Sequence, residues 1–388
     1  MNVKDNFAIG AVVLAGGKSS RMGQVKQLLP LDGRPLLAHT LENLRASKVS
    51  EIVVVLGYSA DTIRQQLDLR DVTVAVNEDY EQGMGTSLRV GLSALDQRTG
   101  AALIVLADQP FVHSATYDQI IHQYQQSSAS IVVPFYQGFR GNPVLLDRSV
   151  FPEVMALRGD VGCRAIFGNH TDGIRKVAVD DIGVLVDIDT QDDLAKGQRY
   201  LQGNNDPAAA LKSVDLTGRT VPEADPASRA RDNIIIVGTE PVGIALAKLS
   251  RILQYRVTVI DPLMQNSDLP EANEVLHFLD FSRLPSTACY VVIASRGRFD
   301  EEAIEQAFSA RIPYVALVAN RQRAQELRQR LQQDGHSSEE LMTLRSPAGL
   351  DIGASAPEEI ALSVLAEIVS LKRRMPEARQ PDTERAAI

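Results

Sequence analysis

The sequence predicts a two-domain α/β protein, each domain a mostly parallel sheet with helices on both faces. Three observations predict it. Short apolar runs alternate with amphipathic stretches along both halves of the chain, the pattern of βαβ units. In each half the leading apolar run stops at a glycine turn, at Gly16-Gly17 and again at Gly238. Between the halves the chain offers few large apolar side chains and several turn formers, including Gly203-Asn204-Asn205-Asp206-Pro207 and Pro222-Glu223-Ala224-Asp225-Pro226. The expected organisation is a first domain over 1–202, a linker over 203–232, a second domain over 233–374 and a polar, disordered tail over 375–388.

Bulk properties narrow the function classes. A chain of 388 residues exceeds one ordinary core, and 44% hydrophobic with 23% charged residues describes a soluble globular protein. The net charge of −9 argues against a nucleic-acid partner, which calls for a basic face, but permits a local basic pocket. Cys163 and Cys289 are too few for a disulfide framework or a thiolate metal site, and fit a reducing compartment. The six histidines are scattered without zinc spacing. No apolar run approaches the roughly 20 residues that span a bilayer. The N-terminus lacks the charged, apolar and cleavage regions of an export signal. A cytoplasmic protein without membrane contact is expected.

In chain order, the apolar run 9–14 reads as a buried strand that gives way to Ala15-Gly16-Gly17-Lys18-Ser19-Ser20-Arg21-Met22-Gly23, with Lys26 just beyond. Paired glycines leave consecutive N–H groups uncovered, and such nests bind anions. Arg21 supplies a planar fork of donors and Lys26 a point charge. Two readings are open here: a phosphate-binding loop, and a tight strand-to-helix turn beside a solvated basic face. Pro35 followed by Leu36, Leu37, Leu41 and Leu44 predicts a helix with an apolar stripe. Strands over 51–56, 72–76 and 103–106 then alternate with helices over 60–67, 86–95 and 114–124. In open sheets of this kind ligands gather beyond the C-terminal strand ends.

Two acidic stretches lie at such ends. In Leu106-Ala107-Asp108-Gln109-Pro110 a carboxylate follows a buried strand; it suits Mg²⁺ on a triphosphate, and equally the cap of the next helix. Val186-Asp187-Ile188-Asp189 reads as a strand whose alternation puts Asp187 and Asp189 on one face. Thr190 then N-caps a helix with Asp192 and Asp193 in its first turn.

The stretch LAGGKSSRMGQVKQLLPLDGRPLL, from Leu14 to Leu37, resembles the signature loop of the MobA-like nucleotidyltransferases, above all the molybdenum cofactor cytidylyltransferases. The resemblance implies a Rossmann-like domain that transfers CMP from CTP to molybdopterin cofactor and releases pyrophosphate, with Mg²⁺ as the metal. It implies nucleotide binding by Leu14, Ala15, Gly16, Gly17, Ser20 and Gly23, together with Arg21 and Lys26. Arg21, Lys26 and Asp108 would be catalytic, and Asp108, Asp187 and Asp189 would hold the metal. Asn77, Gly83 and Ser87 match the segment that lines base and ribose. Gly141-Asn142-Pro143 matches an element that approaches the acceptor; Asn142 stands where histidine is frequent, and asparagine hydrogen-bonds but does not titrate. Leu14-Ala15-Gly16-Gly17 is more typical of the guanylyl branch, so GTP is the nearest alternative. A nucleotidyltransferase for another phosphorylated acceptor and a non-catalytic cofactor chaperone are the others.

The second half opens on the strand 233–237, the turn at Gly238, a helix to 253 and a strand over 257–260 that ends at Asp261. A glycine turn followed by an acidic residue after about 20 positions is the dinucleotide-binding arrangement. Glu240 departs from it, because it stands where the second glycine belongs and its carboxylate repels phosphates. A further strand, 290–293, runs into Ser295-Arg296-Gly297-Arg298, where the arginines read either as solvated charges or as phosphate ligands. A strand over 314–318, a helix over 321–334, the stretch from Leu344 to Ala354 and a helix over 357–374 complete this half. It resembles the Rossmann-like half of the XdhC/CoxI family, accessory factors that carry molybdenum cofactor to molybdenum hydroxylases. The two resemblances together imply a maturation factor whose second domain assists cofactor binding, or delivery to a hydroxylase of the xanthine dehydrogenase type.

Overall fold

The computed structural model describes residues 8–17, 24–202, 232–264, 268–283, 289–333 and 335–374. The chain divides into two compact units, Met1–Glu223 and Ala224–Ile388. The expected linker, residue 232 apart, and the expected tail lie outside the described residues.

In the first unit β1 (Ala8–Ala15) leads to a two-stranded ribbon of β2 (Pro30–Leu31) and β3 (Arg34–Pro35), then α1 (Leu36–Arg45). There follow β4 (Glu51–Leu56), α2 (Ala60–Gln66), β5 (Thr73–Val76), α3 (Met84–Ser93), β6 (Thr99–Leu106) and α4 (Ser114–Gln125). The remainder is β7 (Ile131–Tyr136), β8 (Phe139–Arg140), β9 (Val144–Asp147), α5 (Phe151–Ala156), β10 (Ile174–Ala178) and α6 (Gln191–Gln202). The strands form one sheet in the order β10-β7-β9-β6-β1-β4-β5, with β8 paired to β7. β1 is parallel to both β4 and β6, whereas β9 returns antiparallel between β6 and β7.

The local chemistry explains these elements. β1 is apolar along nearly its whole length because both faces are covered, as parallel strands require. α1 buries Leu36, Leu37, Leu41 and Leu44, the stripe that its spacing predicts. α3 lies unusually close to the sheet: a Cβ on Gly91 would stand 2.2 Å from Val12 Cγ1. Val12, Val55, Leu88, Leu92 and Ile104 fill the core between them. This contact brings the N-terminal end of α3 to the C-terminal end of β1.

One expectation is corrected. Residues 186–189 form no strand; they follow a 3-10 turn, Ile182–Leu185, and run outside the sheet beside the loop after β6. The reason is steric and polar together. Gly183 sits so close to the Phe111 backbone that its Cβ would be 2.3 Å from the Phe111 oxygen. The Ile188 amide is used on the Asp108 carbonyl at 2.9 Å rather than on a neighbouring strand. Ile188 itself is buried with Leu29, Leu31, Leu36, Phe111 and Leu194.

The second unit contains β11 (Asn233–Val237), α7 (Pro241–Ile252), β12 (Arg256–Ile260), β13 (Glu274–Leu276) and β14 (Cys289–Ile293). It continues with α8 (Asp300–Ser309), β15 (Tyr314–Leu317), α9 (Arg321–Gln333), α10 (Ser338–Thr343), β16 (Leu344–Arg345) and α11 (Pro357–Arg374). All six strands are parallel in the order β13-β12-β11-β14-β15-β16, so the winding reverses between β11 and β14. Val242 and Leu246 of α7 and Leu365 and Ile368 of α11 bury one face of this sheet with Ile234 and Ile236. Among the described residues no helix is long and apolar enough to cross a membrane.

Candidate functional site

A cavity of about 500 Å³ opens beyond the C-terminal ends of β1 and β6. Its floor is Leu14 to Gly17 and Leu106 to Asp108, the last residues of the two strands and the turns after them. Gly16 is buried, and its carbonyl accepts the Tyr58 amide at 3.2 Å. Gly17 is exposed, with nothing among the described residues within 4 Å of where a Cβ would stand. A side chain at Gly17 would intrude into space that the bare backbone leaves for a ligand. Ser20, Arg21 and Gly23 lie outside the described residues.

Lys26 re-enters the site on a short 3-10 turn, Lys26–Leu28. The neighbouring Gln27 is 6% exposed, and its Nε2 donates to the Ala15 carbonyl at 2.7 Å, which ties this turn to the end of β1. Lys26 Nζ donates to Asp108 Oδ2 at 2.8 Å and to Asp189 Oδ1 at 2.6 Å. Burial acts to lower the Lys26 pKa, but Asp108 and then Asp189 outweigh it and hold the ammonium above its ordinary range. It therefore stays charged at neutral pH.

The carboxylates arrive from distant parts of the chain. Asp108 follows β6, whose end is fixed to β1 by the Ala107 amide on the Leu14 carbonyl at 3.2 Å. Asp189 precedes α6, where Asp193 Oδ2 accepts the Thr190 amide at 2.9 Å and the Asp193 amide donates to Thr190 Oγ1 at 3.2 Å. Asp187 takes a different partner: Gln109 Nε2 donates to its Oδ1 at 2.7 Å, and Asp187 does not line the cavity. Gln109 is 3% exposed and so joins the Asp108 loop to the 186–189 segment from beneath.

The fit to a divalent cation can be judged from these groups. Among the described residues the buried Asp108 Oδ1 has no hydrogen-bond partner, and a cation would satisfy this oxygen. Lys26 already places positive charge between two carboxylates. Among the described residues no three His, Cys, Asp or Glu groups gather into a cage. A cation here would take oxygens from Asp108 and Asp189 and complete its shell with substrate and water, as Mg²⁺ on phosphates does.

The opposite wall comes from α3. Ser87 Oγ, on the cavity wall, accepts from Asn77 Nδ2 at 2.9 Å, and the same nitrogen donates to Thr86 Oγ1 at 2.8 Å. Asn77 is 2% exposed and does not line the cavity, so its reach to any ligand runs through Ser87. Gly83 has a φ of 105°, and its Cβ would stand 2.3 Å from the Asp160 amide nitrogen. The loop 157–162 thus lies directly on this glycine, held also by the Gly85 amide on the Gly159 carbonyl at 3.2 Å. It brings the exposed Asp160 to the cavity, where Oδ1 accepts the Met84 amide at 3.3 Å. Tyr80 lines the same wall, with Tyr58 edge-on at 6.4 Å.

Gly141, Asn142 and Pro143 do not line the cavity. Their backbone is fixed by the Gly141 amide on the Pro134 carbonyl at 2.9 Å and the Asn142 amide on the Val184 carbonyl at 3.0 Å. That carbonyl also accepts from Gln109 at 3.3 Å, so the segment adjoins the Asp108 loop from outside. Gln27 and Gln109 carried no signal in the sequence pattern, and Asp160, the third residue that it missed, carried only a weak one. The turn-forming run Arg158-Gly159-Asp160-Val161-Gly162 is the one local sign of the third.

Residues 11–174 match the MobA-like NTP transferase domain, and residues 234–368 match the XdhC Rossmann domain. A molybdenum cofactor cytidylyltransferase of Escherichia coli (strain K12) is 26% identical over 199 residues, covering 50% of this chain and 98% of that protein. A nicotine blue oxidoreductase of Paenarthrobacter nicotinovorans is 27% identical over 199 residues, covering 49% of this chain and 96% of that protein. The crystal structure of Rv0371c from Mycobacterium tuberculosis H37Rv is 32% identical, covers 50% of this chain and 98% of its own, and has a TM-score of 0.45.

Proposed function

We propose that this chain, a MobA-like nucleotidyltransferase joined to an XdhC Rossmann domain, transfers CMP from CTP to molybdopterin cofactor and releases pyrophosphate. The observation that carries the reading is Lys26 set between Asp108 and Asp189 beside the open backbone of Gly17. A site that only held an anion would not need two carboxylates beside its cation.

In the proposed reaction a phosphate oxygen of the cofactor attacks the α-phosphorus of CTP. The bond from that phosphorus to the bridging oxygen breaks, and pyrophosphate leaves with the electron pair. Little proton transfer is required, so catalysis rests on positioning and on charge. The backbone at Gly16 and Gly17, with Arg21 and the loop through Ser20 and Gly23, would hold the triphosphate. Lys26 would offset negative charge that builds at the α-phosphoryl group. Asp108 and Asp189 would hold Mg²⁺, which when bound neutralises phosphate charge and orients the leaving group. Asp187, turned to Gln109, would act by holding the Asp189 segment in place. Ser87, positioned by Asn77, and the wall at Gly83 and Tyr80 would receive the nucleoside. Gly141, Asn142 and Pro143 would meet the acceptor from outside the Asp108 loop.

CTP is preferred to GTP because the cytidylyltransferase relative covers 50% of this chain and 98% of its own length, and because the second unit matches the XdhC Rossmann domain, a resemblance that implies an accessory factor of molybdenum hydroxylases. The second unit would then assist binding of the product or its delivery to a hydroxylase. The test is pyrophosphate release from CTP or GTP with Mg²⁺ and molybdopterin cofactor. Release with CTP is expected. Release with GTP alone would overturn the choice of base, and release with neither would overturn molybdopterin cofactor as the acceptor and favour another phosphorylated acceptor or the chaperone reading.

A further inference from the structure

The second unit has a topological switch point of its own, where open α/β sheets form a crevice. The winding of its sheet reverses between β11 and β14, and in open α/β sheets ligands bind where that happens. Two turns meet there. Gly238, with a φ of 93°, is packed against the β14 side so tightly that its Cβ would stand 2.7 Å from Ser295 Cα. Beyond it, Glu240 precedes α7 and so places a carboxylate at a helix N-terminus, where an anion is favoured. Arg296 Nη1 stands 3.6 Å and Arg298 Nη1 4.0 Å from that carboxylate.

The arginine turn is held rigid from below. Asp300 is 2% exposed; its Oδ1 accepts Ser295 Oγ at 2.5 Å and the Gly297 amide at 3.1 Å, and its Oδ2 is paired with Arg323. Ser295 Oγ in turn accepts the Phe299 amide at 3.1 Å. Arg298 also lies over the Phe299 ring at 4.9 Å. Two arginines thus face a single carboxylate that stands at a helix N-terminus without capping it, and the backbone of the arginine turn is fixed by Asp300.

The ribose half of a dinucleotide site is closed. Asp261, which ends β12, is 2% exposed. Its Oδ2 accepts both the amide and the hydroxyl of Thr239, at 3.1 and 2.6 Å, and its Oδ1 accepts the Leu263 amide at 2.9 Å. Buried and already accepting three hydrogen bonds from its own neighbours, this carboxylate is poorly placed to receive a ribose diol.

We infer that this crevice is an anion site held shut by its own carboxylate. Glu240 occupies the place of a phosphate, and Arg296 and Arg298 take a phosphate- or diphosphate-bearing ligand, not NAD or NADP, when Glu240 swings away. The inference is independent of the chemistry proposed for the first unit.

The test is calorimetric titration of the full chain with inorganic pyrophosphate and, separately, with NAD. Pyrophosphate binding in the first unit is common to every arm, because all the substitutions lie in the second. Glu240→Gln is expected to add a binding event roughly tenfold tighter than any the wild type shows there, the effect of removing one like charge about 4 Å away at a partly exposed site. Combining Glu240→Gln with Arg296→Ala and Arg298→Ala is expected to remove it. Thermal melting of each variant checks that the fold is retained. Identical isotherms for wild type and Glu240→Gln would overturn the inference, as would retention of the new event in the triple variant. NAD binding by Glu240→Gln as tight as that of pyrophosphate would overturn the exclusion of dinucleotides.

Discussion

Lys26 is the residue on which the first unit's chemistry turns. Its ammonium joins carboxylates 82 and 163 positions away in the chain. Lys26→Ala would remove the charge and leave Asp108 and Asp189 to repel each other. Loss of a preorganised charge costs about 3 kcal/mol, so a fall of roughly a hundredfold in kcat for pyrophosphate release is expected. Turnover near that of the wild type would remove Lys26 from the mechanism. The pH dependence follows from the raised pKa. The native Lys26 value lies above its unfolded 10.5, so the ion pair's contribution to stability is complete below that pH and is lost as pH rises through the native value. Denaturant midpoints should therefore show no decline traceable to Lys26 between pH 7 and 9, and a difference between wild type and Lys26→Ala that changes across that window would refute this assignment. Asn77 makes a different prediction. Asn77→Ala would leave the buried Thr86 and Ser87 hydroxyls without their donor, at a cost of about 1–3 kcal/mol. A raised KM for the nucleotide with kcat preserved is expected, since Asn77 reaches the cavity through Ser87.

At the scale of elements, the approach of α3 to β1 sets the width of the cavity. Gly91→Val would drive a side chain into Val12, and overpacking of this kind costs about 1–3 kcal/mol. The denaturant midpoint should fall and KM for the nucleotide should rise together, because α3 carries Ser87; a lower midpoint with KM unchanged would separate the two. The start of α4 is tied to the 3-10 turn Ile182–Leu185 through Asp181. Asp181 Oδ2 accepts the His113 amide at 3.0 Å and Thr116 Oγ1 at 2.5 Å, and the His113 ring lies 3.4 Å from Oδ1. Burial acts to raise the Asp181 pKa, but His113 and Thr116 outweigh it and the net shift is downward. The hydrogen bond to Asp181 raises the His113 pKa above 6.5. The Asp181 contribution is present above pH 3.8 and lost as pH falls through its native value. The His113 contribution is complete below pH 6.5 and lost as pH rises through its native value. Asp181→Asn should thus narrow the difference in melting temperature between pH 5 and pH 8, and an unchanged difference would count against the pair. The helix and strand pattern behind these contacts was legible in the sequence. α1, β4, α2 and α11 fall where the apolar spacing predicts them, since that spacing is local. The 186–189 segment was not legible as it stands. Its alternation suits a strand, and only the loop after β6 decides where its amides go.

At the scale of the molecule, every described residue lining the cavity lies between Leu14 and Asp189, inside Met1–Glu223. A protease site inserted within 203–231 and cut in the purified protein is therefore expected to leave pyrophosphate release from CTP unchanged. Loss of turnover on cutting would mean that the second unit completes the site. The sequence by itself determined the two α/β units, the glycine turn after β1 and the damaged fingerprint at Glu240. These are properties of a few neighbouring residues, namely the period of apolar side chains, the missing Cβ and the charge at one turn position. The tertiary structure decided the partners. Lys26 meets Asp108 because β6 lies beside β1, and it meets Asp189 because the chain returns there after the β7, β9 and β10 excursion. Asp187 was drawn to Gln109 and not to the cavity, and Glu240 was given two arginines from the turn after β14. Side chains separated by tens of residues acquire their distances from sheet order and from which backbone amides are already used, and no local pattern carries that information.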